Sequence, residues 1–575
     1  MKMRTTFLLM TALIALLAAT NGMAAYHHEG ENDSSNFLGA YPGKAGTKLD
    51  QCVLCHKGGS YEGSKGTVTL GSCQWCHYSY GYDGSGNITD TLNAYGMAYF
   101  TGGRDAEAVT NIEGLDSDGD TFTNIAEINA NRYPGDATDD PSKITAPFRV
   151  YTRAQLEALS QHTQFLLMNA SRSQDNYVQY TGVPMKDLLD DAGILPSATG
   201  IWVYAPDGWS QSHPLEFDAA LEMYHVYGNM PGQAYQYPPS TYFYNIEADA
   251  DTNPDYGWCD YSAPSCVGRA HGDNITVAGG LKAILALKRE GANLDPGVLN
   301  DENKLDGEGP FRVVVPQKYP SAPDQSSRSD QQEVVWPYVE DWDHNAGACS
   351  RSATIIKVEP LPEGTTDIDI LEAGWNYVDQ EKIVIYGAID GDSNGNGLVD
   401  SEEGTGSDDY DGDGILDYQD TDTAKPNSAT GQGQVILHTS AGAFAAVAAM
   451  NDDDADLTQT GKPNQEFPYG VFDFQVTGLA PGGSVVITIV FPDAVVQSAR
   501  IYKITAAGGW VQMPFSSNDG DETITVTLTD GDPATDADGA ADGTIHDPFA
   551  LGEKAGGSSG GSSGGTCFID TITAE

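Results

Sequence analysis

The sequence predicts a multidomain α+β protein with a small N-terminal head, an α+β middle domain and a C-terminal antiparallel β-sandwich. Three observations predict it. The chain has 575 residues, too many for one hydrophobic core. Four of its 8 cysteines fall between positions 52 and 76, which marks a compact head. From about residue 431, short alternating strands (434–439, 471–476, 484–491, 498–505 and 522–528) replace the mixed helix and strand patterns upstream.

The composition narrows the class. Hydrophobic residues make up 40% of the chain, enough to bury real cores. Asp and Glu number 82 against 29 Lys and Arg, a formal charge of −53. Nucleic acid and anionic membrane surfaces would repel such a chain. The first 25 residues read as a secretory signal. Lys2 and Arg4 precede an apolar run over 7–19, and small residues end at Ala24 and Ala25. That run is too short for a membrane span. Export to the periplasm or the cell surface is expected.

The head, residues 26–110, carries Cys52-Val53-Leu54-Cys55-His56 and Cys73-Gln74-Trp75-Cys76-His77. Both read C-x-x-C-H, the haem c attachment signature. Two thiols must reach the two vinyl groups of one haem, and the adjacent imidazole must face the iron. The same cysteines also fit the C-x2-C-x15–20-C-x2-C spacing of a zinc ribbon. A ribbon needs no His after either pair, and export favours haem over free thiolates. Two covalent haems are therefore expected, with His56 and His77 as proximal ligands. His27 and His28 are candidate distal ligands. Closed bis-His coordination would suit electron transfer to redox partner proteins or extracellular acceptors, making the chain a carrier rather than a catalyst.

Three Asp-rich segments fit the twelve-residue EF-hand template, in which alternate side chains turn inward around the ion. The first, in segment 111–145, offers Asp116, Asp118, Asp120, Asn124 and Glu127, with Thr121 where the template has Gly. The second offers Asp392, Asn394, Asn396, Asp400 and Glu403, with Gly397 at the turn. The third offers Asp409, Asp411, Asp413, Asp417 and Asp420. Calcium is the expected ion, and rigidity its expected purpose. The second and third lie in a connector over 363–425 and together resemble thrombospondin type 3 repeats, calcium-stiffened linkers.

The middle domain is expected over 146–362. Residues 181–189 read as a turn with Pro184 near the start of a short helix, and 201–205 as a strand. Residues 281–287 form a helix-compatible apolar stretch, and 307–316 a Gly/Pro turn entering a buried strand. His162, His213, His225, His271 and His344 are read as packed or surface residues without metal-ligand spacing. Cys259 and Cys266 bracket a short loop and are expected to form a disulfide, whereas Cys349 and Cys567 have no obvious local partner.

The ordered segments YTGVPMKDLLDDAGI, WVYAPDGWSQS, LKAILALKREGANL and GEGPFRVVVPQ resemble the molybdopterin-binding domain of the sulfite oxidase superfamily. With the two C-x-x-C-H motifs and the Asp116 loop, the first 360 residues or so resemble the diheme cytochromes named for their GEGP motif. The resemblance implies a sulfite-oxidase-like fold. One departure is important, because no Cys occurs between Phe148 and Trp258 to bind molybdenum. A scaffold without cofactor is therefore expected, one that docks partners or another copy of itself; a haem-linked molybdenum dehydrogenase and a zinc-stabilised surface protein are the alternatives. The segments GVFDFQVTGLAPGGSVVITIVFP and DADGAADGTIHDPFAL, within 426–552, resemble the choice-of-anchor U domain of exported bacterial proteins. A Gly/Ser linker and a Cys567-containing tail, 553–575, are expected to follow as a possible surface anchor.

Overall fold

A computed structural model describes residues 32–553, apart from 46, 64–65, 71, 82–83, 172–173, 207–208, 218–222, 229–236, 238–239, 246–258, 300–304, 325–326, 329–332, 335–341, 369–374, 405–407, 456, 505–508 and 516–519. The expected signal segment, His27, His28, Cys567 and the Gly/Ser-rich C-terminal residues lie outside the described residues. Strand predominates over helix, and the strands form several separate sheets beside a helical N-terminal region. The chain divides into two compact units at Gly391/Asp392. Among the described residues no helix is long and apolar enough to cross a membrane.

In the first unit the head is built from short helices, including Asn32–Ala40, Ser72–Tyr80, Ala94–Thr101 and Ala106–Asn111, with one hairpin, Gly59–Gly63 to Gly66–Leu70. Phe37, Leu49, Leu54, Tyr95, Tyr99, Val109 and Ile112 form its core. Ile128 and Tyr133 join the same cluster, so the segment expected as a separate calcium loop is built into the head. A core this small is marginal without a covalent or metal staple.

Two sheets carry the body. One runs Phe148–Thr152, Lys382–Gly387, Ile355–Glu359, Gly200–Tyr204, Ser210–Pro214, with only the Lys382–Gly387 to Ile355–Glu359 pair parallel. The other centres on Asp175–Pro184, flanked by His162–Met168 and Ile284–Arg289. Two expectations need correction. The apolar stretch 281–287 is no helix; its residues 284–287 begin the strand Ile284–Arg289, buried between Asp175–Pro184 and Arg312–Val314. A strand covered on both faces reads as a continuous apolar run, which periodicity cannot distinguish from a helix. The body also does not end at 362, because Lys382–Gly387 occupies an interior place in its sheet. Pro184 does stand at the N-cap of the helix Met185–Asp191, and Gly200–Tyr204 is a strand.

The GEGP turn shows why its residues are needed. A Cβ on Gly307 would lie 2.6 Å from the Pro296 carbonyl oxygen, and one on Gly309 would lie 2.7 Å from that of Leu294. Between them Glu308 accepts from the Tyr180 hydroxyl (3.0 Å) and pairs with Arg312 (3.0 Å) and Arg289. Burial works to raise its pKa, yet the two guanidinium groups hold it below the ordinary carboxylate value.

In the second unit, the sheet Thr423–Ala424, Ile436–Thr439, Ser484–Val490, Thr523–Thr529 and the sheet built on Ala443–Met450, Val471–Thr477, Phe549–Gly552 and Arg500–Ile504 are both antiparallel. Alternate residues such as Val485, Ile487 and Ile489 from one sheet and Phe472, Phe474 and Val476 from the other share one buried cluster. Leu398 belongs to that cluster, and Val447 donates its N–H to the Asn396 carbonyl (2.7 Å). The second acidic loop is thus part of this unit rather than a free-standing connector.

Replacing Glu308 by Ala would leave Arg312 buried without its carboxylate. A loss of about 3–5 kcal/mol is expected, because removing one partner of a buried pair strands the other. Urea unfolding should show the first-unit transition moving to lower concentration while the second stays in place.

Candidate functional site

The first C-x-x-C-H motif is a short turn held from several directions. Cys52–Leu54 forms a single 3-10 turn, and the His56 N–H closes onto the Cys52 carbonyl (2.8 Å). Asn93 donates its backbone N–H to the Cys55 carbonyl (2.9 Å) and its amide to the Val53 and Leu54 carbonyls (2.9 and 3.0 Å). The helix Ala94–Thr101 approaches so closely that a Cβ on Gly96 would fall 2.1 Å from the Cys55 oxygen.

The His56 ring has a defined acceptor. The Thr91 hydroxyl donates to the Ile88 carbonyl (2.7 Å), so it can only accept from His56 Nδ1, 2.9 Å away. A proton on Nδ1 satisfies this contact, the arrangement in which a metal-ligating imidazole offers Nε2 to the metal. Cys52 and Cys55 are half-buried beside it.

The second motif lies on the helix Ser72–Tyr80, which places Cys73 and Cys76 three residues apart. The side chains of Cys73 and His77 lie outside the described residues; Cys76 is half-buried. Trp75 fixes this helix. Its indole N–H donates to the Asp90 carbonyl (3.3 Å), and its ring lies where a Cβ on Gly59 would come within 2.4 Å. Tyr78 stacks on Tyr61 with ring centroids 4.4 Å apart. One turn, Ile88–Thr91, therefore holds both motifs, through Thr91 to His56 and through Asp90 to Trp75. Sequence reading missed this turn, since neither residue carries a signature of its own.

The three acidic loops share one hydrogen-bond frame. The first residue of each caps the loop: Asp116 accepts from the N–H groups of Gly119 (2.7 Å) and Thr121 (3.0 Å), and Asp409 accepts from those of Gly412 (2.7 Å) and Gly414 (3.1 Å). Asp392 accepts from Gly397 in the same way (3.2 Å). The sixth position has positive φ in all three, 92° at Thr121, 97° at Gly397 and 95° at Gly414. Thr121 thus adopts the glycine conformation despite its branched side chain, a strained choice.

At the ninth position Asn124, Asp400 and Asp417 each accept from the N–H of the second residue, Ser117 (3.2 Å), Ser393 (2.7 Å) and Tyr410 (2.7 Å) respectively, which is compatible with the water-mediated contact this position commonly makes to an ion. They brace the loop, a use that ligand spacing alone does not distinguish.

The loops differ at their closing acid. Both oxygens of Glu127, which is fully buried, lack a hydrogen-bond partner, as do Asp118 Oδ2 and Asp120 Oδ2. Ligand oxygens of Asp116, Asp118 and Asp120 gather within 4.8 Å of one another. Burial first, then Asp118 and Asp120, push the Glu127 pKa up to about 9. In the second loop the amides of Asn394 (2.9 Å) and Asn396 (2.7 Å) already donate to Glu403, as does the Lys425 N–H (3.0 Å). In the third, Asp420 accepts from the Asp422 N–H (3.1 Å), while ligand oxygens of Asp409, Asp411 and Asp413 gather within 4.8 Å of one another, and Asp411 also groups with Asp422 and His438. The loop with the poorest template match is therefore the one whose closing acid is left without a partner, while the first and third loops both gather three Asp side chains.

In the body, Cys259 and Cys266 form no disulfide. Both are buried free thiols, Cys266 pointing at the Tyr177 carbonyl (3.6 Å) and Cys259 at that of Asp260 (3.7 Å). Cys349 is also a buried thiol, donating to the Asn345 carbonyl (3.3 Å). Burial pushes Cys266 and Cys349 up to about 11, which makes all three poor nucleophiles. His213 and His225 are buried, His344 pairs with Asp324 (3.1 Å), and no histidine of the body joins a metal-binding group among the described residues. Neither a known family model nor any curated protein matches this chain.

Without a cation, folding raises the Glu127 pKa from 4.5 to about 9. The stability linked to this group is complete below pH 4.5 and is lost as pH rises toward 9. Calorimetry in chelator should show melting temperature falling across that window. Saturating calcium or Glu127→Gln should remove this contribution, and the variant should bind one calcium fewer.

Proposed function

We propose that this chain is an exported diheme c-type cytochrome that carries electrons at or outside the cell envelope. The observation that carries the reading is the Ile88–Thr91 turn, which secures both C-x-x-C-H motifs and gives His56 Nδ1 an acceptor. A zinc ribbon would use the four thiols and leave that orientation without purpose. Cys52, Cys55, Cys73 and Cys76 would hold two haems, with His56 and His77 on iron and His27 and His28 completing the coordination. Bound there, haem supplies a one-electron couple. The polypeptide fixes ring orientation through Thr91, keeps the motifs near each other and supports them on a small core.

The remaining modules fit a display role. Calcium in the Asp116 loop would neutralise Glu127 and its neighbours, stiffening the head, and calcium among Asp409, Asp411 and Asp413 would stiffen the second unit, whose other loop closes on its own Asn amides. The sulfite-oxidase-like body would serve as scaffold for partners or self-association, in line with the GEGP diheme proteins. The choice-of-anchor-like C-terminal unit and tail would hold the protein near the cell surface.

The test is visible spectroscopy of the full chain exported from a host competent in cytochrome c maturation. Two covalent haems per chain are expected, insensitive to carbon monoxide after reduction. Changing both Cys52 and Cys55 to Ser should leave one. A colourless protein from that host would sink the cytochrome.

Thr91→Val gives a second check. It removes the acceptor for His56 Nδ1–H, so the imidazole becomes a weaker donor to iron. One of the two midpoint potentials should rise in redox titration, with haem content unchanged.

A further inference from the structure

Inside the second unit an amine and a carboxyl group are pressed together where water is excluded. Lys503 lies on the strand Arg500–Ile504, two residues after Ile501, so its side chain faces the sandwich core as that of Ile501 does. Asp547 precedes the strand Phe549–Gly552, which pairs with Arg500–Ile504. Lys503 Nζ stands 2.8 Å from Asp547 Oδ1, with side-chain exposures of 0% and 1%. Both backbones are pinned. The Asp547 N–H donates to the Phe474 carbonyl (3.0 Å), and the Ile504 N–H to that of Pro548 (3.0 Å).

Two other buried Lys–Asp pairs show the ordinary arrangement, in which hydrogen bonds hold the carboxylate as an anion. Asp139, beside Lys48, accepts from the Tyr133 N–H (2.9 Å) and the Thr366 hydroxyl. Asp417, beside Lys425, accepts from the Tyr410 N–H (2.7 Å). Asp547 has no such support. Both its oxygens lack a hydrogen-bond partner, so the Lys503 amine touches the carboxyl group without an aligned bond. Burial raises the Asp547 pKa against the pull of Lys503 and His546, and Asp473 adds to the rise. Asp473 is itself held by His546 Nε2 (2.8 Å). The unsupported pair can therefore pass a proton from nitrogen to oxygen, leaving a neutral amine beside a neutral carboxylic acid. That places a nucleophile at contact distance from its electrophile, in a fixed geometry that replaces a bimolecular encounter.

We propose that Lys503 and Asp547 condense into an intramolecular amide. The Nζ lone pair attacks Cγ and forms the C–N bond. The bond from Cγ to its hydroxyl oxygen breaks, and that hydroxyl leaves as water with a proton from nitrogen. Nothing is oxidised or reduced, and the pair carries no net charge before or after. The product is an uncharged group in an apolar core, which removes the cost of burying two ions. It staples Phe549–Gly552 to Arg500–Ile504, and it does not depend on the haems.

Peptide mass mapping of the full chain, exported, folded and then denatured for digestion, tests it. Trypsin should fail to cut after Lys503 and should release 501–554 as one peptide, one water (about 18 Da) lighter than its sequence requires. Further cutting after Glu522 should leave the two fragments joined, which water lost elsewhere in the peptide would not do. Lys48 is the internal control and should be cut normally. Asp547→Ala should restore cleavage after Lys503. Cleavage after Lys503 in the unaltered chain, with both peptides at full mass, would leave an ordinary ion pair and overturn the proposal. A link from Lys503 to any other carboxyl group would overturn it as well. The digest of the unaltered chain decides the matter even if Asp547→Ala fails to fold.

Discussion

The Asp139 carboxylate shows the constraint under which this molecule folds. It is buried, and it binds Lys48 Nζ (2.7 Å), the Tyr133 N–H (2.9 Å) and the Thr366 hydroxyl. Lys48 comes from the head and Thr366 from beside the body, so one acid ties both. With 29 basic residues for 82 acidic ones, few buried carboxylates can be given a base. Those that are sit at joints. Glu308 has Arg312 at the GEGP turn, Asp417 has Lys425 (3.0 Å) between the tandem loops, and Asp547 has Lys503 (2.8 Å) under the second unit's sheet. Such pairs add little net stability over apolar substitutes, but each forbids any arrangement that would separate its partners.

Glu127 lies at the other extreme. It is as deeply buried as the paired acids, yet its neighbours are further carboxylates. Left without a cation, such a group stays protonated, and a divalent cation would let it ionise without spending a scarce base. The same shortage explains Lys425, whose N–H serves Glu403 while its ammonium serves Asp417. One residue thereby supports two loops.

What could be read from the sequence was local chemistry. C-x-x-C-H is spelled within five residues and each acidic loop within twelve, so both patterns were legible, and the haems and calcium they imply are proposals. Thr91 and Asp90 were not, because their role exists only when the chain returns to His56 and Trp75. The strand Ile284–Arg289 was obscured by burial on both faces, which removes the alternation that marks an exposed strand. The strand Lys382–Gly387 was assigned to a connector because its partners lie far along the chain. The pairing inferred for Cys259 and Cys266 rested on closeness in sequence, whereas Cys259 is turned toward the Asp260 carbonyl and Cys266 toward that of Tyr177. Asn124, Asp400 and Asp417 fit the ligand template and still do other work, because an inward ligand and a bracing acceptor share the same spacing.

The shared frame of the three loops separates two kinds of information. Their shape is written in side-chain-to-backbone hydrogen bonds from the first, third, fifth and ninth residues, nearly the same each time. Their appetite for a cation is written in which atom occupies the second valence of the third and fifth side chains, oxygen in Asp118 and Asp120, nitrogen in Asn394 and Asn396. An Asp-to-Asn exchange there leaves the contour intact while turning a hungry cage into a self-neutralised clasp. Within one chain the same architectural sentence therefore ends either in an open acidic cage or in a fixed fastening, with two atoms deciding between them.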